Sequence, residues 1–178
     1  MIRLFTALSL PVTVRNRLGD LEGGIPGARW VDPEEMHITL RFIGEVDENI
    51  GHDIDDALSA IRAPAFRLSL SELREFGGKQ PHALFAAVPR NEALFHLVQK
   101  VETALRRLGL AADARKYTPH VTLARLKNAP YEKIAAFIAH HNLFSTEDFE
   151  INTFTLFSSH PGPGGSHYVP ERIYPLEV

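Results

Sequence analysis

Two short segments carry the same pair of reactive side chains at the same spacing, His37-Ile38-Thr39 and His120-Val121-Thr122. In a β-strand, residues i and i+2 project from one face. His37 and Thr39 therefore share a face, as do His120 and Thr122, while Ile38, Leu40, Val121 and Leu123 turn to the opposite, apolar side. Imidazole gives or takes a proton near neutral pH. One imidazole serves as base or acid; two, on opposite sides of a substrate, serve as both in one turnover. A threonine hydroxyl beside each suits donation to a phosphoryl oxygen, where negative charge builds up. The four side chains thus suit a single phosphodiester. One histidine takes the proton from the attacking water and the other protonates the leaving ribose oxygen. This scheme uses no metal and no cofactor. A lone His-x-Thr carries little weight, because a strand histidine is more often a hydrogen-bonded structural residue than a catalyst. The second copy changes that balance.

Other chemistry-bearing residues fall around the two pairs. Alternation places Arg41 on the face of His37 and Thr39, where it also reads as a solvated strand-end charge. Arg125 follows His120 by five positions, which puts it on the wrong face unless a bulge or the strand end intervenes. Phe42, at the equivalent offset in the first segment, reads as core. Trp30 reads as a lid or packing residue. His140 and His141 read as cations at a helix C-terminus. His82, His160 and His167 fall in expected loops, with no spacing that favours a metal.

The elements that must position these groups form a tandem repeat. Leu4-Phe5-Thr6-Ala7-Leu8 matches Leu84-Phe85-Ala86-Ala87-Val88, the two His-x-Thr segments match, and Phe66–Leu70 matches Phe149–Thr153, at offsets of 80, 83 and 83. Between the matches lie helical stripes: Val14, Leu18 and Leu21 up to Gly23-Gly24, then Ile50, Ile54, Ala57, Leu58 and Ile61. Asn91 caps a third, with Leu94, Val98, Val101, Leu105 and Leu108 on one face and Gly109 at its end. Pro130 opens a fourth, through Ile134, Phe137, Ile138 and His141. Further strands are expected at Leu73 to Phe76, Thr155 to Ser158 and Tyr168 to Val178. The fold class is α+β. Two pseudo-symmetric lobes, approximately 1–83 and 84–178, pack intimately within one domain spanning 1–178. Each is an antiparallel sheet with helices on its outer face, and the active-site cleft lies between the inner faces.

Composition narrows the function. The 178 residues are 44% hydrophobic and 23% charged, ordinary for a globular domain with a real core. A net charge of -3 argues against an extended face coating long nucleic acid, though not against a local anion site. The absence of cysteine excludes disulfides, thiolate metal sites and a cysteine nucleophile, and suits a reducing, cytoplasmic setting. The apolar run Met1 to Leu10, stopped by Pro11, reads as an opening strand, and no membrane association is expected. With no HExxH and no compact ligand spacing, a zinc hydrolase is disfavoured.

At these residues the sequence resembles the 2H phosphoesterase superfamily and, within it, the RNA 2′,3′-cyclic phosphodiesterase branch, also called the 2′-5′ RNA ligase family. The resemblance rests on Arg3–Leu8, Trp30-Val31, His37–Glu45, Pro119–Arg125 and the late Gly162–Gly165 with Tyr168. Each HxTx motif is weakly specific; the two in this frame are strongly so. In one place, Phe157–His160, the sequence departs from the charged, arginine-bearing stretch that the resemblance implies. The resemblance implies hydrolysis of a terminal 2′,3′-cyclic phosphate to a 2′-phosphomonoester and, run backwards, joining of RNA ends through a 2′-5′ linkage. It implies His37 as proton donor to the leaving 3′-oxygen and His120 as base on water. Thr39 and Thr122 would hold phosphoryl oxygens, and Arg125 would bind phosphate. The implied partners are RNA ends or short oligonucleotides bearing the cyclic phosphate, bound by a monomer. The alternative within the same chemistry is a 2H phosphoesterase acting on 2′-5′ oligonucleotides or small nucleotide cyclic phosphates. A non-catalytic RNA-end binder would not need two acid–base groups. The two protonation states imply a bell-shaped pH profile around neutrality.

Overall fold

A computed structural model describes all 178 residues. The chain runs β1 (Ile2–Ser9), α1 (Val12–Gly19), β2 (Ala28–Trp30), a 3-10 turn (Pro33–Glu35), β3 (His37–Val46), α2 (Glu48–Ser59), β4 (Phe66–Leu68), β5 (Leu73–Phe76) and β6 (Ala83–Ala87). It continues with α3 (Glu92–Arg107), β7 (His120–Leu126), α4 (Tyr131–His140), β8 (Phe149–Ile151), β9 (Thr153–His160) and β10 (His167–Pro175). All four expected helices form. The Asn91 side chain accepts from the Leu94 amide at 3.0 Å, and Gly109 takes φ +87 just past the end of α3, a conformation glycine adopts without steric penalty. Helix α1 is shorter than its apolar stripe suggests. It stops at Gly19, and Leu21 bonds back to Leu18 in a tight turn.

Two four-stranded antiparallel sheets carry the motifs. One has the order β10-β9-β1-β3, the other β2-β7-β6-β5, and β4 pairs with β8 in a separate ribbon. The sheets do not follow the sequence halves. The C-terminal β9 and β10 complete the sheet that holds β1 and β3, while β2 and β5, from the first half, flank β7 and β6. Helix packing crosses over in the same way. Helix α3 lies against β3 and α2, and α2 reaches β10. Helix α4 lies against β5, and Arg17 of α1 donates to the Ser145 carbonyl beyond α4. Helices therefore cover the outer faces, as their apolar stripes require. A single cluster of 34 buried apolar residues runs through both lobes, so the lobes share one core. No helix is long and apolar enough to cross a membrane.

Two local expectations need correction, and one strand was not foreseen. Strand β2 carries no alternating signal of its own; it forms because β7 offers it an edge. His160 and His167, expected in loops, close the β9–β10 pair as direct cross-strand partners. Phe42, expected in the core, is 54% exposed.

Candidate active site

The two motif strands, β3 and β7, approach each other where the two sheets meet. A cleft of about 1150 Å³ opens there, and His37, Thr39, His120, Thr122 and Arg125 all line it. In both strands the residues between and beyond the motif pair, Ile38, Leu40, Val121 and Leu123, are fully or nearly fully buried behind the cleft wall.

A bulge in each motif strand decides which further residue enters the cleft. Along β1–β3, Ala7 faces Thr39 but Thr6 faces Arg41, so Leu40 is the extra residue. Along β6–β7, Phe85 faces Thr122 but Leu84 faces Ala124, so Leu123 is the extra residue. Both bulges sit three positions after the histidine. Each inserts one residue and reverses the parity of the positions beyond it. Arg125 is thereby returned to the cleft face. By the same reversal Arg41 is turned away from the face of His37 and Thr39, contrary to simple alternation, and reaches only the margin of the cleft, where it is tied up by protein partners. Its side chain is 8% exposed, and the guanidinium bonds Glu102 of α3 at 2.6 Å and the Ala111 carbonyl. The cleft position that Arg125 holds in β7 is held in β3 by Phe42, whose ring leans on Phe5 at 5.8 Å.

Each imidazole is fixed by backbone and by an aromatic floor. The Nδ1–H of His37 donates to the Glu35 carbonyl at 2.8 Å, and that of His120 donates to the Thr118 carbonyl at 2.6 Å. A carbonyl only accepts, so Nδ1 carries the proton in both rings. The neutral form of each then presents a lone pair on Nε2. Nε2 of His37 lies 3.1 Å from the Thr39 hydroxyl. The His37 ring rests on Phe5 at 5.0 Å and against the edge of Tyr168 at 5.1 Å. The His120 ring meets Phe76 at 5.0 Å and Phe85 at 5.2 Å. Burial among these rings lowers the pKa of both histidines below the usual value, and the Arg125 guanidinium lowers both further. His120 also disfavours the charged form of His37, while the Glu35 carboxylate favours it. The Arg125 charge thus bears on both rings, which line one cleft with it.

Several supporting residues carried no clear signal in the sequence. Phe5 and Phe85 occupy matching places in the Leu-Phe-x-Ala repeat, which was the available clue. Glu35 accepts from His167 Nδ1 at 3.0 Å and from the Tyr168 amide at 3.1 Å, so it ties β10 to the turn before His37. The Tyr117 hydroxyl donates to the Thr39 carbonyl at 2.8 Å, joining the approach to β7 to β3. Trp30 lines the cleft and packs on Phe137 at 5.8 Å. His140 and His141 close α4, ring against ring at 4.9 Å and away from the cleft. His82 lies at the cleft margin beside Phe76. No group of three or more His, Asp or Glu side chains is placed to hold a metal ion.

Known proteins resemble this chain in sequence and in fold. Residues 11–163 match the model of the 2′-5′ RNA ligase superfamily. A protein of Archaeoglobus fulgidus described as an RNA 2′,3′-cyclic phosphodiesterase is 28% identical over 177 residues, covering 97% of this chain and 99% of that one. One of Thermotoga maritima with the same description is 31% identical over 147 residues, covering 80% of this chain and 76% of that one. In three dimensions, the crystal structure of TT0787 of Thermus thermophilus superposes with a TM-score of 0.83 at 24% identity, covering 98% and 97% of the two chains. With paired HxTx strands facing one cleft and a family match over most of its length, the chain belongs to the 2′-5′ RNA ligase superfamily.

Proposed function

We propose that the protein is an RNA 2′,3′-cyclic phosphodiesterase that opens a terminal cyclic phosphate to a 2′-phosphomonoester. The observation that carries this reading is the pair of tautomer-matched imidazoles that line one cleft together with Arg125. His120, neutral, accepts the proton of a water that attacks phosphorus. The P–O3′ bond breaks opposite the incoming oxygen, and His37, protonated at Nε2, gives its proton to O3′. Thr39 and Thr122 donate to the non-bridging oxygens and Arg125 offsets the charge that gathers on them. His120 ends protonated and His37 neutral, and solvent restores both. A 5′-hydroxyl in the place of water makes a 2′-5′ linkage by the same steps. The descriptions of the Archaeoglobus and Thermotoga relatives support the substrate.

The test is incubation of the pure protein with an oligoribonucleotide ending in 2′,3′-cyclic phosphate, after exhaustive chelation. A 2′-phosphate end at undiminished rate is expected, because acid, base and phosphoryl donors are all side chains. A 3′-phosphate product, or activity lost to chelation and restored by zinc, overturns the reading. Parallel assays with 2′-5′ oligonucleotides and small cyclic nucleotides rank the related substrates.

A further inference from the structure

We propose that Arg29 forms a second anion subsite, one that holds the phosphodiester on the 5′ side of the terminal nucleotide and makes the enzyme prefer RNA ends to cyclic mononucleotides. The inference rests on the cyclic phosphodiesterase reading and specifies its substrate.

Arg29 and Arg125 are direct partners in the β2–β7 ladder. Directly opposed residues of an antiparallel pair project from the same face, with Cβ atoms about 5 Å apart. Both arginines line the cleft and both are exposed to it. Like charges directly opposed destabilise a sheet unless something lies between them. Neither guanidinium takes part in any ion pair of the protein. The acidic residues that share the cleft with them are engaged elsewhere: Glu35 with His167, Glu92 with Arg90, Glu102 with Arg41, and Asp113 with Arg115. Asp32 accepts from the Glu34 amide. Two adjacent, uncompensated forks in a cleft are suited to two phosphates, each with planar acceptor pairs.

The loop between β9 and β10 completes this subsite. Gly165 holds φ +119, and a Cβ there would come within 3.3 Å of Nη2 of Arg29. A glycine lets the backbone of the loop lie against the guanidinium. Gly164 and Ser166 line the same end of the cleft. Arg125, on the motif strand itself, is felt by both imidazoles. Arg29 stands one strand further out, a lateral step of about 4.8 Å. An RNA end has one other anion near its cyclic phosphate, the diester that joins the terminal nucleotide to its 5′ neighbour. A nucleoside cyclic phosphate with a free 5′-hydroxyl lacks it.

The experiment compares adenosine 2′,3′-cyclic phosphate with the dinucleotide ApA ending in the same cyclic phosphate. The readout is the ratio of their kcat/KM values. Arg29→Ala is expected to lower the wild-type preference for the dinucleotide about 10- to 100-fold, the effect of losing a charge-assisted hydrogen bond. The salt dependence of dinucleotide turnover should lose about 0.7 of a log–log slope unit, one phosphate contact. Arg29→Lys, which keeps the charge but not the fork, should retain part of the preference. Arg125→Ala should lower turnover of both substrates with the ratio kept. An unchanged ratio in Arg29→Ala overturns the subsite, as does a ratio that moves equally in Arg125→Ala. Wild-type protein inert toward both substrates instead sinks the phosphodiesterase reading itself.

Discussion

The two histidines, given different tasks in the proposed mechanism, share a construction: Nδ1 donating to a backbone carbonyl, Nε2 left for the cleft, phenyl rings beside them. Replacing either by Ala is expected to lower kcat about 10²–10⁴-fold, the usual range for general acid–base catalysis. The double replacement should cost less than the product of the two, as for residues that act as one unit. Steady-state kinetics on variants whose circular dichroism and melting match wild type check this. A folded single variant with near-full activity would remove its histidine from the mechanism. The shifts also set the pH profile. The proposed mechanism needs His120 neutral and His37 charged, so the rate should rise as His120 loses its proton and fall as His37 does. Both pKa values lie below the usual 6.5, chiefly through burial. Both limbs of kcat/KM therefore lie on the acid side, and the maximum is expected below pH 6.5, not at neutrality. Bound phosphate favours the imidazolium, so the kcat profile should move back upward. Glu35→Gln removes a charge that favours protonated His37. It should draw the basic limb lower still, whereas a profile centred above pH 7 would contradict the role of burial.

At the scale of elements, the bulges separate two arginines that look alike in sequence. Arg41→Ala removes the guanidinium that bonds Glu102 and the Ala111 carbonyl at a partly buried site, leaving Glu102 only the Asp113 amide. The expected loss is about 1–3 kcal/mol of stability in urea denaturation, with the larger part of kcat/KM retained. Arg125→Ala should show the reverse, near-native stability and the greater loss of kcat/KM. Equal kinetic losses would mean that the bulges do not sort the two. The same bulges mark the limit of what the sequence discloses. Alternation sets His37, Thr39, His120 and Thr122 on cleft faces because those pairs precede the extra residue. Beyond it, alternation misplaces Arg41 and Phe42, and it reaches Arg125 only through the bulge it had to allow. Capping chemistry makes α3 legible at both ends, through Asn91 and Gly109. Strand β2 is illegible because three residues carry no period, and so the Arg29–Arg125 pairing is invisible without the register.

At the scale of the molecule, the order of helices and motif strands was legible and the distribution of strands between the sheets was not. Local patterns name elements, but only long-range pairing says which sheet each joins. Because β9 and β10 complete the first motif sheet and β2 and β5 flank the second, neither 1–83 nor 84–178 holds a whole sheet. A single calorimetric transition is expected, with no folded fragment from either half; two resolved transitions would show lobes of independent stability. The division of labour across the cleft can be read from the leaving group. In a 2′,3′-cyclic substrate whose bridging 3′-oxygen is replaced by sulfur, departure of the thiolate needs no general acid. With it, His37→Ala should recover most of the activity it loses on the oxygen substrate, while His120→Ala, which still lacks its base, should not. Recovery in His120→Ala alone would reverse the two roles, and recovery in neither would contradict proton transfer to O3′ by His37.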